Sequence, residues 1–237
     1  MYILSSDYDG TLKTRIHDLY INIHEISKFR KLGNIFIINT GRAHDSIVKE
    51  IKKFNIPFDY LCCNDGTAIF DDKLDIIDQT LISSSQMHYI KALIPYFPGF
   101  KISNFYAPKK ISRQGFDNPI EVQITKQSNQ RFDDFLSLLE NDMTELVGFP
   151  DKNHLYVRNN KASKSIALNK IASLFAIDPK TIYTVGDEDN DIEMIINHRG
   201  FRMLESSPNL WFKTWRVTPE VHHLVKYLNF KTKRSIK

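Results

Sequence analysis

Two aspartates near the start of the chain lie two residues apart, at the point where a short apolar run ends. Residues 2–6 (Tyr-Ile-Leu-Ser-Ser) lead into Asp7-Tyr8-Asp9-Gly10-Thr11. In an extended chain, side chains two residues apart point to the same face, and Gly10 allows a sharp turn directly afterwards. Two carboxylates in one pocket repel each other unless a cation lies between them or one holds a proton. The spacing therefore predicts a metal site, a proton transfer or both. The alternative is a surface turn, since Asp and Gly are common turn residues.

Three further apolar runs end in small or polar residues in the same way. They are 35–38 before Asn39-Thr40-Gly41-Arg42, 60–63 before Asn64-Asp65-Gly66, and 182–185 before Gly186-Asp187. Helical patterns over 19–29 and 47–54 separate the first three runs. Strands that alternate with helices form a parallel sheet, and its ligands bind beyond the carboxyl ends of the strands. We therefore expect an α/β fold in which the four polar clusters converge on one site.

The alternation breaks in the middle of the chain. We expect an inserted α+β unit over residues 81–160, and a main domain made of residues 1–80 and 161–237. The patterns predict helices over 83–96 and 129–141 and strands over 100–106, 119–126, 144–149 and 153–159. A helix over 165–175 then returns the chain to the main sheet, and a terminal helix contains residues 222–223.

Composition narrows the class of protein. The chain has 237 residues and a net charge of +4, from 32 Lys and Arg against 28 Asp and Glu, which mildly favours anionic ligands. It lacks a basic stripe with interleaved aromatic residues, so no nucleic-acid partner is expected. No apolar stretch approaches the ~20 residues that span a bilayer, and the first residues do not resemble a signal peptide. A soluble, cytoplasmic protein without a membrane partner is expected, and its oligomeric state stays open. Cys62 and Cys63 are expected to be reduced core residues.

The polar clusters, taken in order, resemble the four motifs of the haloacid dehalogenase-like (HAD) hydrolases. The motifs are Asp7-Tyr8-Asp9-Gly10-Thr11, Thr40-Gly41-Arg42, Lys164, and Gly186-Asp187-Glu188-Asp189-Asn190-Asp191. Asn64-x-Gly66 and the late insertion resemble the Cof-type branch, which carries a type IIB cap. The resemblance implies a Rossmannoid parallel-sheet core with an inserted α+β cap. It covers roughly residues 1–80 and 160–200, and the chain departs from the Cof pattern beyond Gly200.

Phosphoryl transfer suits the two aspartates of the first motif. It needs a nucleophile, neutralisation of the phosphoryl oxygens and a proton for the leaving oxygen. Asp7 is the expected nucleophile, because a carboxylate is ionised at neutral pH and forms an aspartyl-phosphate. Asp9 is the expected acid and later base, because a neighbouring anion raises its tendency to hold a proton. Related enzymes that displace halide lack the second carboxylate, so its presence favours phosphate chemistry.

The acidic residues of the last motif predict a Mg²⁺ site. Asp187 and Asp191, together with Asp7, supply the hard oxygen ligands that Mg²⁺ prefers. The resemblance adds the backbone carbonyl of Asp9 as a ligand. Glu188 and Asp189 have an alternative role, which is to place negative charge at a helix N-terminus.

The remaining motif residues are expected to bind phosphate or substrate. They are Thr40, Gly41, Arg42, Lys164 and Asn190. Thr40 has the alternative of capping the following helix, and Arg42 the alternative of a structural ion pair. The family pattern has Gly after its lysine, whereas Ser165 follows Lys164. We place the role at Lys164 and keep Lys161, three residues earlier, as a contact on the cap side of the substrate.

The sequence thus predicts a Mg²⁺-dependent phosphatase acting on a small phosphorylated metabolite, such as a sugar phosphate. A phosphomutase would use the same phosphoaspartate but return the group to a bound sugar. A catalytically silent binding protein is a third alternative, weakened by the complete acidic set. The sequence does not identify the metabolite.

Overall fold

The computed structural model describes residues 1–127 and 131–235 and places their strands in two separate sheets. The strands are β1 (Ile3–Ser6), β2 (Ile35–Asn39), β3 (Tyr60–Cys63), β4 (Ala68–Asp71), β5 (Ile76–Gln79), β6 (Lys101–Ala107), β7 (Lys110–Ser112), β8 (Glu121–Thr125), β9 (Leu146–Asp151), β10 (His154–Asn159), β11 (Tyr183–Gly186), β12 (Arg199–Met203) and β13 (Val217–Thr218). The helices are α1 (Ile16–Lys31), α2 (His44–Phe54), α3 (Ser84–Leu93), α4 (Asp133–Asp142), α5 (Lys164–Leu174), α6 (Ile192–Asn197), α7 (Pro208–Trp211) and α8 (Val221–Ser235).

The larger sheet has eight strands in the order β13-β12-β11-β1-β2-β3-β4-β5. The strands from β13 to β3 run parallel, and β4 and β5 add an antiparallel hairpin at one edge. The predicted α/β fold with a parallel sheet is confirmed. The sequence analysis did not predict the β4–β5 hairpin or the strands β12 and β13.

Successive residues of the inner strands pack against different helical layers, as the pleat requires. Leu4 and Phe36 belong to the apolar cluster that includes residues of α1 and α8, whereas Ile3 and Ile37 belong to the cluster of α5 and α6. The inner strands are buried on both faces, so only their ends are open to a ligand. Cys62 and Cys63 are buried, free thiols, as expected.

Helix α2 illustrates how local sequence fixes an element beside the site. Ile47, Val48, Ile51 and Phe54 are spaced by three or four residues and are all buried. The helix ends at Asn55, whose φ of 52° lies in the left-handed region. Its N-cap is Ala43, so Thr40 does not cap it.

The smaller sheet is antiparallel, with strand order β7-β6-β8-β10-β9. Apolar residues of α3 and α4 share a cluster with Val122 and Ile124 of β8 and with Val157 of β10. The alternate residues of these strands, including Glu121 and Arg158, therefore lie on the opposite face. That face meets the loop after β3.

The elements of the middle region agree with the predicted pattern, apart from their ends. Ser83 caps α3 and forms a capping box with Gln86. The helix predicted over 129–141 is observed from Asp133, and its first predicted residue, Asn129, lies outside the described residues. Strand β7 was not predicted. Within the described ranges, no helix is both long and apolar enough to cross a membrane.

Candidate active site

Four polar segments meet where four neighbouring parallel strands end. Asp7 follows β1, Thr40 follows β2, Asn64 follows β3 and Asp187 follows β11. Backbone hydrogen bonds join the segments to one another, with the Asp7 amide donating to Val185 (3.0 Å) and the Asp65 amide donating to Thr40 (3.0 Å). The sheet order brings together residues that lie far apart in the sequence.

Lys164 lies at the centre of the buried part of this site. Its Nζ is 2.6 Å from Asp7 Oδ1 and 2.7 Å from Asp191 Oδ1, and only 1% of the lysine is exposed. Ser163 caps α5, and Asn39 Nδ2 donates to the Lys164 carbonyl at 3.0 Å. The first residue of α5 is thereby fixed to the end of β2. Lys161 instead pairs with Glu145 at an exposed position and makes no contact with the Asp7 carboxylate.

Carboxylates outnumber ammonium groups in this part of the site, and the pKa values of Asp7 and Lys164 are both raised. The carboxylates of Asp7 and Asp191 contact the single ammonium group of Lys164, and the Asp187 carboxylate lies beside those two. Burial raises the pKa of Asp7 well above its usual value, and the charges of Asp191 and Asp187 add to this against Lys164. Burial alone would lower the pKa of Lys164, but the carboxylates of Asp191 and Asp7 raise it. Further positive charge would relieve this excess of carboxylates.

Two glycines make room for the carboxylates of the last motif. Gly10 has a φ of +74°, and a Cβ there would lie 2.2 Å from Asp187 Oδ2. A Cβ on Gly186 would lie 2.4 Å from Asp191 Oδ2. Asp191 Oδ2 accepts hydrogen bonds from the amides of Asp187 (2.9 Å) and Glu188 (3.1 Å). The carboxylates are therefore held by backbone geometry as well as by side chains.

The Asp187 carboxylate accepts a hydrogen bond and has a raised pKa. Thr11 Oγ1 donates to its Oδ1 at 2.5 Å. Burial raises the pKa of Asp187 to about 6, with Asp191 and Glu188 adding to the shift and the Thr11 hydrogen bond opposing it. One oxygen each from Asp7, Asp187 and Asp191 lie within 4.8 Å of one another. This set of hard oxygen donors suits a divalent cation.

The side chain of Asp9 points away from the three carboxylates. Its two oxygens accept hydrogen bonds from Arg42, with Nε–Oδ2 and Nη2–Oδ1 both 2.6 Å. The Arg42 guanidinium lies 5.1 Å from the centre of the Tyr8 ring. Arg42 therefore makes the ion pair that the sequence left as an alternative to substrate contact. The proposed metal contact of Asp9 rests on its backbone carbonyl alone.

Thr40, Gly41 and Asn190 lie around the mouth of the site. Thr40 is buried and its Oγ1 accepts from the Arg42 amide at 3.1 Å. A Cβ on Gly41 would lie 3.2 Å from Asp65 Oδ1, and Asn190 Nδ2 donates to that same oxygen at 3.0 Å. Asn190 thus contacts Asp65, and Glu188 and Asp189 lie on the same cavity wall.

Two residues of the smaller sheet, which the sequence analysis missed, complete the site. Arg158 Nη1 donates to Asp65 Oδ2 at 2.7 Å, and Asn64 Nδ2 donates to Glu121 Oε1 at 2.9 Å. The Arg158 guanidinium also lies 4.0 Å from the centre of the Phe149 ring. The sequence contained one indication of these two residues. Polar and apolar residues alternate in β8 and β10, and this alternation gives each strand a polar face that could line a site.

These contacts shift two further pKa values in opposite directions. Burial raises the pKa of Glu121 to about 7, with Arg158 opposing the shift. For Asp65, burial also favours the protonated form, but the charges of Arg158 and Lys164 outweigh it and lower the pKa. Arg158 therefore holds an ionised carboxylate at the boundary between the two sheets.

A cavity of about 660 Å³ lies between the end of the larger sheet and the polar face of the smaller one. The larger sheet contributes Arg42, Asp65 and Asn190, and the smaller sheet contributes Tyr106, Tyr156 and Arg158. The volume is within the range that holds a small-molecule ligand.

A comparison of sequence identifies one family. The sequence model of the haloacid dehalogenase-like hydrolases matches residues 4–103 and 101–222. No curated protein sequence matches the chain.

Several solved structures share the fold over nearly the whole chain. A HAD-superfamily phosphatase from Bacteroides thetaiotaomicron is 16% identical, with a TM-score of 0.79, covering 96% of this chain and 95% of its own. The sucrose-phosphatase of Synechocystis, solved with sucrose and phosphate, is 16% identical, with a TM-score of 0.72 and coverage of 96% and 98%. A HAD subclass IIB sugar phosphatase is 17% identical, with a TM-score of 0.75 and coverage of 98% and 100%. The sequence match identifies the chain as a member of the haloacid dehalogenase-like hydrolase family.

Proposed function

We propose that the protein is a Mg²⁺-dependent phosphatase that hydrolyses a small phosphate monoester, such as a sugar phosphate, through an aspartyl-phosphate. The observation that carries the proposal is the group of Asp7, Lys164, Asp187 and Asp191 where the parallel strands end. Asp65, which lies 3.9 Å from Lys164, also lines the cavity between the two sheets. The similar structures include phosphatases of sugar phosphates. Their identity to this chain is low, so they support the fold and suggest the substrate class.

Asp7 is the proposed nucleophile. An oxygen of its carboxylate bonds to phosphorus, and the bond between phosphorus and the ester oxygen breaks. Lys164 lies within hydrogen-bond distance of Asp7 and would bind a phosphoryl oxygen as well as orient the nucleophile. Thr40 and the Gly41 backbone are proposed to bind the remaining phosphoryl oxygens.

Asp9 is the proposed proton donor and acceptor. It gives a proton to the leaving ester oxygen and later takes one from the water that attacks phosphorus. That attack breaks the bond between phosphorus and Asp7 and releases inorganic phosphate. Arg42 fixes the direction of the Asp9 carboxylate through both oxygens.

Asp7, Asp187 and Asp191 are proposed to hold Mg²⁺, with the Asp9 carbonyl as a further ligand. When bound, the ion neutralises charge on the phosphoryl oxygens. The fit rests on the three oxygens within 4.8 Å and on the excess of buried carboxylates over ammonium. Mg²⁺ suits a site that is completed by waters and a phosphate oxygen.

Residues 81–160 are proposed to act as a cap over a catalytic core of residues 1–80 and 161–237. The proposal is supported by the polar face of the smaller sheet, which forms one wall of the cavity. Closure over a bound ester would exclude bulk water during transfer to Asp7. Small metabolites fit a cavity of about 660 Å³ better than large protein substrates do.

The test is phosphate release from a panel of phosphorylated metabolites by the purified protein with Mg²⁺. We expect turnover of at least one small monoester, and an acid-stable, hydroxylamine-sensitive phosphoprotein during the reaction. Formation of that species without phosphate release, together with a re-esterified sugar product, would identify a phosphomutase instead. Absence of both phosphate release and phosphoprotein across the panel would reject the proposal.

A further inference from the structure

The wall of the cavity between the two sheets is rich in carboxylates. The described lining residues include five acidic side chains, of Asp65, Glu121, Asp151, Glu188 and Asp189, and two basic ones, of Arg42 and Arg158. Burial raises the pKa of Glu121 to about 7. Even with Glu121 protonated, acidic groups outnumber basic groups on this wall.

Both basic groups of the wall are already paired. Arg42 gives two hydrogen bonds to Asp9, and Arg158 gives one to Asp65 while also lying 3.7 Å from Glu121. Arg158 is only 5% exposed in its side chain and rests on the Phe149 ring. Recruiting either arginine to a second anion on a ligand would break a charge-assisted hydrogen bond that is already formed.

Asp151 differs from the other carboxylates of the wall. It ends β9 and is exposed, and within residues 1–127 and 131–235 its carboxylate has no hydrogen bond or ion pair. The Tyr106 ring, on β6 of the same sheet, also lines the cavity, and its hydroxyl has no hydrogen bond among the described residues. These groups can accept hydrogen bonds from hydroxyl or ammonium groups, and Asp151 repels a carboxylate or a second phosphate.

We propose that the site selects phosphate esters whose alcohol part carries no negative charge, and that Asp151 is a specificity-determining residue that favours hydroxyl- or ammonium-bearing alcohols. The inference rests on the proposed phosphatase function, because that function assigns the phosphoryl group to Lys164 and leaves the alcohol part to the cavity wall. It narrows the substrate class to monophosphates of neutral sugars, amino sugars and similar alcohols. Bisphosphates and phosphorylated sugar acids are disfavoured, because their additional negative charge is repelled by the wall.

The test compares three hexose derivatives that differ in the charge of the alcohol part. They are glucose 6-phosphate, glucosamine 6-phosphate and 6-phosphogluconate. We expect kcat/KM for 6-phosphogluconate to be lower than that for glucose 6-phosphate by about tenfold or more, as expected for one extra like charge near the wall. Glucosamine 6-phosphate should equal or exceed glucose 6-phosphate. Raising the salt concentration should narrow the difference, because salt screens exposed charges.

Variants of Asp151 test whether this residue causes the selectivity between the esters. Asp151→Asn should narrow the ratio between glucose 6-phosphate and 6-phosphogluconate severalfold, and Asp151→Lys should narrow it further. Asp72→Asn is the matched control, because Asp72 is exposed between β4 and β5, does not line the cavity and changes the net charge equally. An unchanged ratio in both Asp151 variants, or an equal change in Asp72→Asn, would overturn the assignment to Asp151.

A binding measurement separates this inference from the proposed function. Dissociation constants of the three esters are measured by calorimetry on Asp7→Asn with Mg²⁺ present, so that no turnover intervenes. The predicted order of affinities without hydrolysis by the wild type would support the charge selection and reject the phosphatase. Hydrolysis without that order, or with 6-phosphogluconate preferred, would reject the charge selection alone. If none of the three esters binds, the proposed charge selection is also rejected.

Discussion

Arg42 occupies both carboxylate oxygens of Asp9, through two hydrogen bonds of 2.6 Å. The Asp9 side chain is 56% exposed, so this contact, and not burial, sets its direction. A bidentate arginine–carboxylate pair restrains the carboxylate more strongly than a single hydrogen bond does. We therefore propose that Arg42 positions Asp9, the proposed acid and base.

Replacing Arg42 should weaken the steps that use Asp9. We expect Arg42→Ala to lower kcat for a sugar phosphate by about tenfold to a hundredfold, because the proton donor loses its fixed direction. The burst of p-nitrophenol from p-nitrophenyl phosphate should fall less, because that leaving group needs little protonation. In a double-mutant cycle, Arg42→Ala should add little to Asp9→Asn. Additive losses of kcat would show that Arg42 acts separately from Asp9.

Asp7→Asn should abolish turnover while keeping the fold. The substitution removes the proposed nucleophile at nearly constant volume, so kcat should fall by about a thousandfold or more. Because it also removes one of three crowded carboxylates, the melting temperature should stay the same or rise. Kinetics with p-nitrophenyl phosphate and thermal melts followed by circular dichroism measure both effects. Near-normal turnover would reject Asp7 as the nucleophile.

Lys164→Met should destabilise the protein as well as inactivate it. The substitution leaves the buried carboxylates of Asp7 and Asp191 without their cation, and loss of one partner of a buried ion pair costs about 3 to 5 kcal/mol. Added Mg²⁺ should recover part of that loss in a thermal melt. Lys161→Met is the control, since that lysine is exposed and pairs with Glu145. Equal losses of stability in the two variants would contradict the claim that Lys164 stabilises the buried carboxylates of Asp7 and Asp191.

Glu121 should make stability depend on pH between about 4.5 and 7. Burial raises its pKa in the folded protein to about 7 from a reference of 4.5. Between these values the folded state holds a proton that the unfolded state releases, so the free energy of unfolding falls as pH rises. The fall attributable to Glu121 is roughly 3 kcal/mol. Urea unfolding across this range should show a flatter profile for Glu121→Gln than for the wild type.

The control for the pH profile is Glu205→Gln, which alters an exposed carboxylate that follows β12 and does not line the cavity beside Glu121. It should keep the profile of the wild type. A flattened profile in Glu205→Gln, or an unaltered one in Glu121→Gln, would show that another group causes the dependence.

Ca²⁺ should inhibit where Mg²⁺ supports activity. Mg²⁺ takes ligands at about 2.0 to 2.1 Å in octahedral geometry and would bind one oxygen of Asp7, leaving the other free to attack. Ca²⁺ accepts six to eight ligands at about 2.3 to 2.6 Å and readily binds a carboxylate through both oxygens. Titration of Ca²⁺ into the Mg²⁺-supported assay should give inhibition that more Mg²⁺ relieves. Full activity with Ca²⁺ alone would mean that the metal does not touch the nucleophile.

The sequence predicted which residues would meet because the rule involved is general. Parallel strands end at one edge of their sheet, so Asp7, Thr40 and Asp187 had to come close once the strands were recognised. The β4–β5 hairpin escaped prediction, because its short runs 68–71 and 76–79 are separated by a charged turn and follow Gly66 without a helix. The catalytic and binding roles of the site residues remain predictions.

The contacts between the two sheets could not be predicted in the same way. Arg158 reaches Asp65, and Asn64 reaches Glu121, only because the inserted sheet sits over the end of β3. No local sequence pattern predicts where the smaller sheet lies relative to β3, because that placement depends on packing between residues distant in sequence. The pairing of Arg42 with Asp9 likewise depends on the side-chain direction after the turn at Gly10.

The central position of β1 has a consequence for how the protein is made. One of its neighbours, β11, is synthesised late, and so are Lys164, Asp187 and Asp191. While the chain emerges from the ribosome, β1 can pair with β2 but keeps an open edge on its other side. Open strand edges promote association between chains, and domains that join distant segments fold slowly. We therefore expect nascent or truncated chains that stop before β11 to depend on chaperones and to aggregate without them.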